Sequence, residues 1–179
     1  HRDLHRVDRR QRQMCIRDSL NGVSIQQIRE QLREFKGLPH RIELVSEKNG
    51  VKFFDDSKGT NPHAVEWALR GFNEPIILIM GGEDKDLDFS PLRDSVSKHC
   101  KLIVAIGNAK PKIVNTFSDI VKVIEATDMK DAVKKSFQNA TRGDVVLLSP
   151  GCASFDMFKN YKERGDVFQH WVRETTEKN

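Results

Sequence analysis

The chain has 179 residues, of which 31% are charged and 37% hydrophobic, and its formal net charge is +4. This length suits one well-buried domain with appendages, and the longest apolar run, residues 76–80, is too short to span a bilayer. Residues 1–19 hold six arginines against three aspartates, which leaves 24 basic and 23 acidic side chains in residues 20–179. A nearly neutral body removes the main support for nucleic-acid binding.

Cysteine usage bears on the compartment and on metal binding. Cys15, Cys100 and Cys152 are odd in number and widely spaced, with no CxxC pair and no histidine at metal-ligand spacing. This pattern argues against a disulfide framework and against a zinc site. We therefore expect a protein of the reducing cytoplasm with no metal ligands in this chain. The first residues also lack the basic, apolar and small-residue progression of a signal peptide.

Residues 1–19 show neither helical nor strand periodicity. Within them, residues 14–19 (MCIRDS) resemble the translation of a sequencing adapter. We predict that residues 1–19 are a non-native, adapter-derived segment or a disordered tail. The alternative is a genuine basic arm for an anionic partner.

Residues 23–35 carry apolar side chains every three or four positions, which predicts an amphipathic helix. Ser24 is its expected N-cap, and Gly37 is its expected stop. A Leu-Pro pair follows, and proline disfavours helical backbone in the residue before it. We therefore predict a hinge here.

Beyond this hinge, apolar segments alternate with amphipathic ones. Their Val, Ile and Leu runs are continuous, which is typical of strands buried on both faces. Asn49-Gly50 indicates a hairpin turn, and Trp67 and Trp171 are expected in the core. We predict an α/β fold, a Rossmann-like open and mostly parallel sheet of about six strands flanked by helices. The predicted strands are residues 41–46, 51–54, 76–80, 102–106, 121–124 and 145–148, and the predicted helices are residues 64–69, 91–99, 110–117, 129–139, 155–164 and 166–175.

The loop after the second predicted strand, residues 56–61 (DSKGTN), carries the densest chemistry. Lys58 is a mobile cation, and Thr60 both donates and accepts hydrogen bonds. Asp56 and the acid before it can orient a ribose, a metal-bound water or a lysine. Because open α/β sheets bind ligands at the carboxyl ends of their strands, the combination predicts an anion site. Helix capping by Ser57 or Thr60 is the competing explanation, and it does not account for Lys58 among acids.

Two further loops follow predicted strands. Residues 81–86 (GGEDKD) begin with paired glycines that can present N–H groups to an anion, although a tight turn explains them equally well. Residues 149–154 (SPGCAS) lead into a predicted helix, where Ser154 can bind a carboxylate or simply cap the helix. Neither a GxSxG elbow nor an activating histidine supports a nucleophile there. We expect the DSKGTN and SPGCAS loops to meet in space.

Five motifs in this order resemble the C-terminal domain of the Mur ligases, and within that family the branch that adds D-glutamate. They are residues 37–41 (GLPHR), 56–61 (DSKGTN), 81–85 (GGEDK), 88–92 (DFSPL) and 147–160 (LLSPGCASFDMFKN). The DSKGTN loop separates this branch from the sister ligases. Gly59 stands where alanine is common in the family.

The resemblance implies an ATP-dependent ligase of peptidoglycan synthesis. In that reaction the carboxylate of UDP-N-acetylmuramoyl-L-alanine is phosphorylated, and the amino group of D-glutamate attacks the acyl phosphate. By position, Arg41 and Asp56 resemble the nucleotide contacts, and Lys58 resembles a catalytic cation near the reacting phosphate. The implied D-glutamate contacts are Thr60, Lys85, Ser154, Phe155 and Tyr161.

The resemblance also implies a domain organisation. Residues 20–38 are similar to the end of the central ATP-binding domain and its hinge, and residues 39–179 to the C-terminal domain. The central domain, with the ligands for ATP-bound Mg²⁺, and the N-terminal UDP-sugar domain are then missing partners, so we expect this fragment alone to be inactive. The alternative is a stand-alone α/β nucleotide-binding module. Neither hypothesis predicts a nucleic-acid or membrane partner.

Overall fold

The computed structural model describes residues 24–34 and 37–177. The chain divides into two compact units, residues 1–37 and 38–179. In the first unit, helix α1 spans Ile25–Glu34. The Ser24 hydroxyl accepts from the Gln27 N–H at 3.2 Å, and Gln27 Oε1 accepts from the Ser24 N–H at 3.0 Å, so the predicted N-cap is confirmed as part of a capping box. The predictions for residues 1–19 lie outside the described residues.

The second unit is an α/β domain, as predicted. Its continuous apolar runs form strands, and the amphipathic segments between them form helices on both faces. The strands are β1 Glu43–Lys48, β2 Val51–Asp55, β3 Ile76–Gly81, β4 Cys100–Ile106, β5 Lys122–Glu125 and β6 Val145–Leu148. The helices are α2 Pro62–Leu69, α3 Arg93–His99, α4 Lys110–Phe117, α5 Met129–Asn139 and α6 Tyr161–Glu177, with a 3₁₀ turn at Ser90–Leu92.

The six strands form one sheet in the order β1-β2-β6-β3-β4-β5. Every pair is parallel except β1 with β2. Because successive side chains of a strand point to opposite faces, β3 feeds two core layers. Leu78 and Met80 pack with Phe117 in one layer, whereas Ile77 and Ile79 pack with residues of α5 and α6 in the other. The predicted mostly parallel sheet is confirmed.

The antiparallel pair of β1 and β2 closes through the predicted Asn49-Gly50 turn. Both residues have positive φ angles, 54° and 77°, as a hairpin turn with right-handed strand twist requires. β1 begins at Glu43 and not at residue 41, because Ile42 has a φ of 49°, which is incompatible with an extended strand.

The prediction of two C-terminal helices, residues 155–164 and 166–175, is wrong. Residues 155–160 form turns, in which the Ser154 carbonyl accepts from the N–H groups of Met157 and Phe158. α6 then runs unbroken through Gly165, and the Asn160 side chain accepts from N–H groups of its first turn. Asn160 is therefore the start signal that the sequence pattern obscured.

Trp67 is also not a core residue, because the buried face of the short helix α2 consists of Val65, Ala68 and Leu69. The indole is 51% exposed, and its N–H donates to His63 Nε2 at 3.0 Å. Trp171, by contrast, packs partly buried against the layer beneath α5 and α6. Within the described ranges, none of the helices has the length and apolar character to cross a membrane.

We predict that Gly165→Ala destabilises the domain. A Cβ atom here would overlap His40 Nδ1 and lie 2.8 Å from Asp55 Oδ2. Alanine favours helix over glycine by about 1 kcal/mol, but overpacking a buried contact costs about 1–3 kcal/mol and should win. Urea denaturation of the variant should therefore give a lower free energy of unfolding. The control is Lys162→Ala, an exposed position of the same helix, which should change stability by less than about 0.5 kcal/mol.

Candidate functional site

Three loops meet at the carboxyl edge of the sheet, because β2, β6 and β3 are neighbours there. We call them the DSKGTN loop (residues 56–61), the SPGCAS loop (residues 149–154) and the GGEDKD loop (residues 81–86). The Gly59 carbonyl accepts from the Gly151 N–H at 2.8 Å, which joins the first two loops. The predicted meeting of these two loops is confirmed.

The GGEDKD loop joins the SPGCAS loop through its backbone. Gly81 N–H donates to Pro150 O at 2.9 Å, and Glu83 N–H donates to Ala153 O at 3.0 Å. These two N–H groups therefore donate to backbone carbonyl groups of the protein. They cannot also donate to an anion, as the sequence had suggested for this loop. Gly81 and Gly82 have φ angles of 123° and 145°, and the backbones of neighbouring segments fill the space where side chains would begin. The paired glycines thus serve close loop packing.

Arg164 of α6 is the side chain that ties these loops to the domain. It is only 1% exposed, and its guanidinium donates to Ser57 Oγ at 3.0 Å, Ser57 O at 2.9 Å and Cys152 O at 3.1 Å. Burial lowers its pKa to about 10, so it remains charged at neutral pH. One planar cation thereby fixes the DSKGTN and SPGCAS loops relative to α6.

Asp55, the last residue of β2, belongs to a second buried cluster. Its Oδ2 lies 2.8 Å from His40 Nδ1 and accepts from Gln169 Nε2 at 2.9 Å, while Oδ1 accepts from the Ser57 N–H. The His40 carbonyl in turn accepts from the Lys58 N–H at 3.0 Å. Asp55 therefore shapes the start of the DSKGTN loop, and its oxygens face protein partners.

Asp56 faces the SPGCAS loop. It is 7% exposed, and its Oδ2 accepts from Ser149 Oγ at 2.7 Å. Burial raises the pKa of this carboxyl to about 7, with a further increase from the charge of Asp55, while Ser149 and the charge of Arg41 oppose the rise. Arg41 itself is exposed. The two predicted nucleotide contacts are thus close enough to interact electrostatically.

The predicted D-glutamate contacts and the predicted catalytic lysine lie at the same edge. Lys58 Nζ lies 3.9 Å from the centroid of the Tyr161 ring, and Lys85 Nζ lies 5.3 Å from that of Phe155. Both are cation–aromatic contacts. Lys85 Nζ is also 3.2 Å from Glu83 Oε2, and the Lys85 side chain is largely exposed. Lys58 and Lys85 are thus each held against one of the predicted aromatic residues.

Two expectations about helix capping are wrong. The N-cap of α2 is neither Ser57 nor Thr60 but Asn61, whose side chain accepts from the Ala64 N–H at 3.0 Å. Ser57 instead accepts from Arg164 and donates to Tyr161 O at 2.7 Å. Ser154 is 2% exposed and precedes turns, so it does not start a helix. Capping therefore does not explain the hydroxyls of these loops.

Sequence reasoning missed Arg164, His40 and Gln169. The buried face of α6 also includes Phe168 and Val172, at four-residue spacing from Arg164. That spacing was the available signal, because it places the arginine on the apolar face of the helix. An arginine at such a position is buried only when it has hydrogen-bond partners. Here the partners are residues more than ten positions away in the sequence.

The sequence matches the family model for the Mur ligase, glutamate ligase domain, over residues 40–152. The chain belongs to this family. Two curated relatives, each named UDP-N-acetylmuramoylalanine–D-glutamate ligase, illustrate the similarity. That of Caldicellulosiruptor bescii is 47% identical over 155 residues, or 86% of this chain and 34% of the relative. That of Nitrosomonas europaea is 50% identical over 143 residues, or 79% of this chain and 30% of the relative.

Two solved structures illustrate the shared fold. The MurF ligase of Thermotoga maritima, in complex with ADP, superposes with a TM-score of 0.63 at 18% identity, covering 92% of this chain and 37% of that protein. E. coli FolC, in complex with DHPP and ADP, gives a TM-score of 0.59 at 15% identity, covering 86% of this chain and 36% of that protein. The chain spans about one third of the length of the two curated relatives.

We predict that Arg164→Met lowers the free energy of unfolding by roughly 3 kcal/mol, since it leaves buried carbonyl groups without donors. Amide exchange at Gly151, measured by NMR, should also accelerate because the loops lose their anchor. The control is Arg70→Met, which removes the pair between an exposed arginine and Glu66 and should cost less than about 1 kcal/mol. Equal effects of the two variants would contradict the anchoring role.

The raised pKa of Asp56 predicts a pH dependence of stability. An acid whose pKa is raised by folding holds its proton more tightly in the folded state, so its contribution is fully present below the unfolded pKa, near 4, and is lost as pH rises through about 7. Asp56→Asn removes this loss. The difference in free energy of unfolding between Asp56→Asn and the wild type should therefore increase, in favour of the variant, by roughly 2–4 kcal/mol between pH 4 and pH 8.5. A difference that is independent of pH would exclude the buried carboxyl as its source.

Proposed function

We propose that this chain is the C-terminal domain of an ATP-dependent ligase that adds D-glutamate to UDP-N-acetylmuramoyl-L-alanine in peptidoglycan synthesis. The observation that carries the proposal is the convergence of the DSKGTN, GGEDKD and SPGCAS loops on one edge of the sheet. The names of the curated relatives, which match over most of this chain, support the reaction. The separation of two units at residues 37 and 38 supports a hinge between this domain and a central ATP-binding domain.

D-glutamate offers two carboxylates, which require cations or hydroxyl donors. We assign Lys85 and Thr60 to these groups, with Ser154 as a further donor. Phe155 is 64% exposed beside Lys85, and Tyr161 holds Lys58 over its ring, so both aromatic side chains suit the walls of an amino-acid pocket.

The nucleotide side of the site is assigned to Arg41 and Asp56. Arg41 is an exposed cation suited to a phosphate, and Asp56 is an acceptor suited to ribose hydroxyls. In the sequence, Lys58 lies between Asp56 and Thr60. A cation there offsets the negative charge that develops when a phosphate departs from an acyl carbon, which is the catalytic role that we propose for Lys58.

The remaining machinery belongs to other parts of the proposed ligase. Binding of ATP with Mg²⁺ and of the UDP-linked substrate is assigned to the central and N-terminal domains, which would make this chain inactive alone. The cytoplasm is the proposed compartment, because Cys100 and Cys152 are free and buried in the described structure.

The assignment is tested by calorimetric titration of D-glutamate into the complete ligase, of which this chain is the proposed C-terminal third, with ADP present. Lys85→Ala should weaken D-glutamate binding about 10- to 100-fold, since a charged hydrogen bond contributes about 1.5–3 kcal/mol. Ser154→Ala should weaken binding about 5- to 10-fold. Lys98→Ala, an exposed lysine of α3 that pairs with Asp94, is the matched control and should bind normally. An unchanged affinity for D-glutamate in both Lys85→Ala and Ser154→Ala would contradict the assignment.

A further inference from the structure

Gly59 has no conformational need to be glycine. Gly81, Gly82 and Gly151 at the same edge have left-handed φ angles, whereas Gly59 does not. Alanine adopts an ordinary φ without strain. The reason for glycine at this position must therefore lie in the space around it.

That space holds the carboxyl group of Asp56. A Cβ atom on Gly59 would lie 2.5 Å from Asp56 Oδ2 and 2.9 Å from Ser149 Oγ, which are the two atoms of the buried hydrogen bond between these side chains. Both distances are shorter than carbon–oxygen contact allows. The inward position of the Asp56 carboxyl is thus compatible with glycine at residue 59 and incompatible with alanine.

The backbone around this contact is fixed. Gly59 N–H donates to Asp56 O, and Gly59 O accepts from Gly151 N–H, both at 2.8 Å. Ser149 N–H donates to Ile79 O of β3 at 3.2 Å. The soft degrees of freedom are therefore the side-chain torsions of Asp56 and Ser149. Because the Asp56 carboxyl oxygen is the nearer atom, at 2.5 Å, a Cβ atom at residue 59 would displace the carboxyl group.

The charged groups that face Asp56 come from three elements. Asp55 at the end of β2 opposes its ionisation, while Arg41 before β1 and Arg164 of α6 favour it. Burial outweighs the two arginines and raises the pKa of the inward carboxyl to about 7. A carboxyl displaced toward solvent would regain hydration and titrate near its ordinary value.

We propose that Gly59 is a positioning residue that lets the Asp56 carboxyl occupy an inward position on Ser149, from which it must turn outward to accept hydrogen bonds from a bound nucleoside diphosphate. The nucleotide half of this inference rests on the proposed function. The inward position itself does not, because it follows from the contacts of Gly59, Asp56 and Ser149.

The test of the inward position is a carboxyl titration followed by ¹³C NMR on the 179-residue chain labelled at aspartate, with Asp56→Asn to assign the signal. In Gly59→Ala the titration midpoint should fall from about 7 toward about 4, because the carboxyl is expelled into water. In Ser149→Ala the midpoint should rise above its wild-type value, because the carboxyl stays buried and loses the donor that favours its ionised form. Gly71→Ala, an alanine substitution on ordinary backbone after α2, should leave the midpoint unchanged. An unchanged midpoint in Gly59→Ala, or a lowered one in Ser149→Ala, would overturn the inference.

The nucleotide half is tested by ADP titration into the complete ligase across pH 6–8.5. At pH 6 about one tenth of the inward carboxyl is ionised, so Gly59→Ala should bind ADP about tenfold more tightly than wild type, with a gain that shrinks as pH rises. A shifted NMR midpoint with unchanged ADP affinity at every pH would overturn the coupling to nucleotide while Lys85 and Ser154 could still bind D-glutamate. Unchanged D-glutamate affinity in both Lys85→Ala and Ser154→Ala would instead overturn the proposed function.

Discussion

The guanidinium of Arg164 is the interaction on which the loop cluster depends. Buried charge is costly unless every donor finds an acceptor, and here the acceptors are Ser57 Oγ and the carbonyl oxygens of Ser57 and Cys152. Those atoms belong to loops that leave different strands and are distant in sequence. A single side chain of α6 therefore converts the adjacency of β2 and β6 into a fixed relation between the DSKGTN and SPGCAS loops.

The same edge carries contacts that are unfavourable by themselves. Asp56 is a carboxyl group kept from water, and its pKa is raised because burial outweighs its hydrogen bond to Ser149. Asp55, directly before it, is also buried but is surrounded by donors from His40, Gln169 and the Ser57 backbone. Neighbouring acids thus have different roles: Asp55 holds the loop, and Asp56 is the acid that we assign to a ligand. Perturbed acids of this kind cluster at functional sites.

Much of the architecture followed from the sequence, because the signals for it are local. Continuous apolar runs predicted the strands, and Asn49-Gly50 predicted the hairpin. The end of the chain was mispredicted because Gly165 looks like a helix break, although it is a point of close approach to His40. Trp67 was placed in the core by its hydrophobicity, but α2 is too short to bury more than one face. The anchoring role of Arg164 depends on long-range partners, which no local pattern encodes.

We propose that the three loops form a single binding site for D-glutamate. Hydrogen exchange followed by mass spectrometry, on the complete ligase with ADP and with or without D-glutamate, tests it most directly, with L-glutamate as the control for stereochemistry. We expect D-glutamate to protect peptides covering residues 56–61, 81–86 and 149–161 together, and to leave residues 73–75 and 98–101, at the opposite edge of the sheet, unchanged. Protection confined to one loop, or found only at the opposite edge, would contradict it.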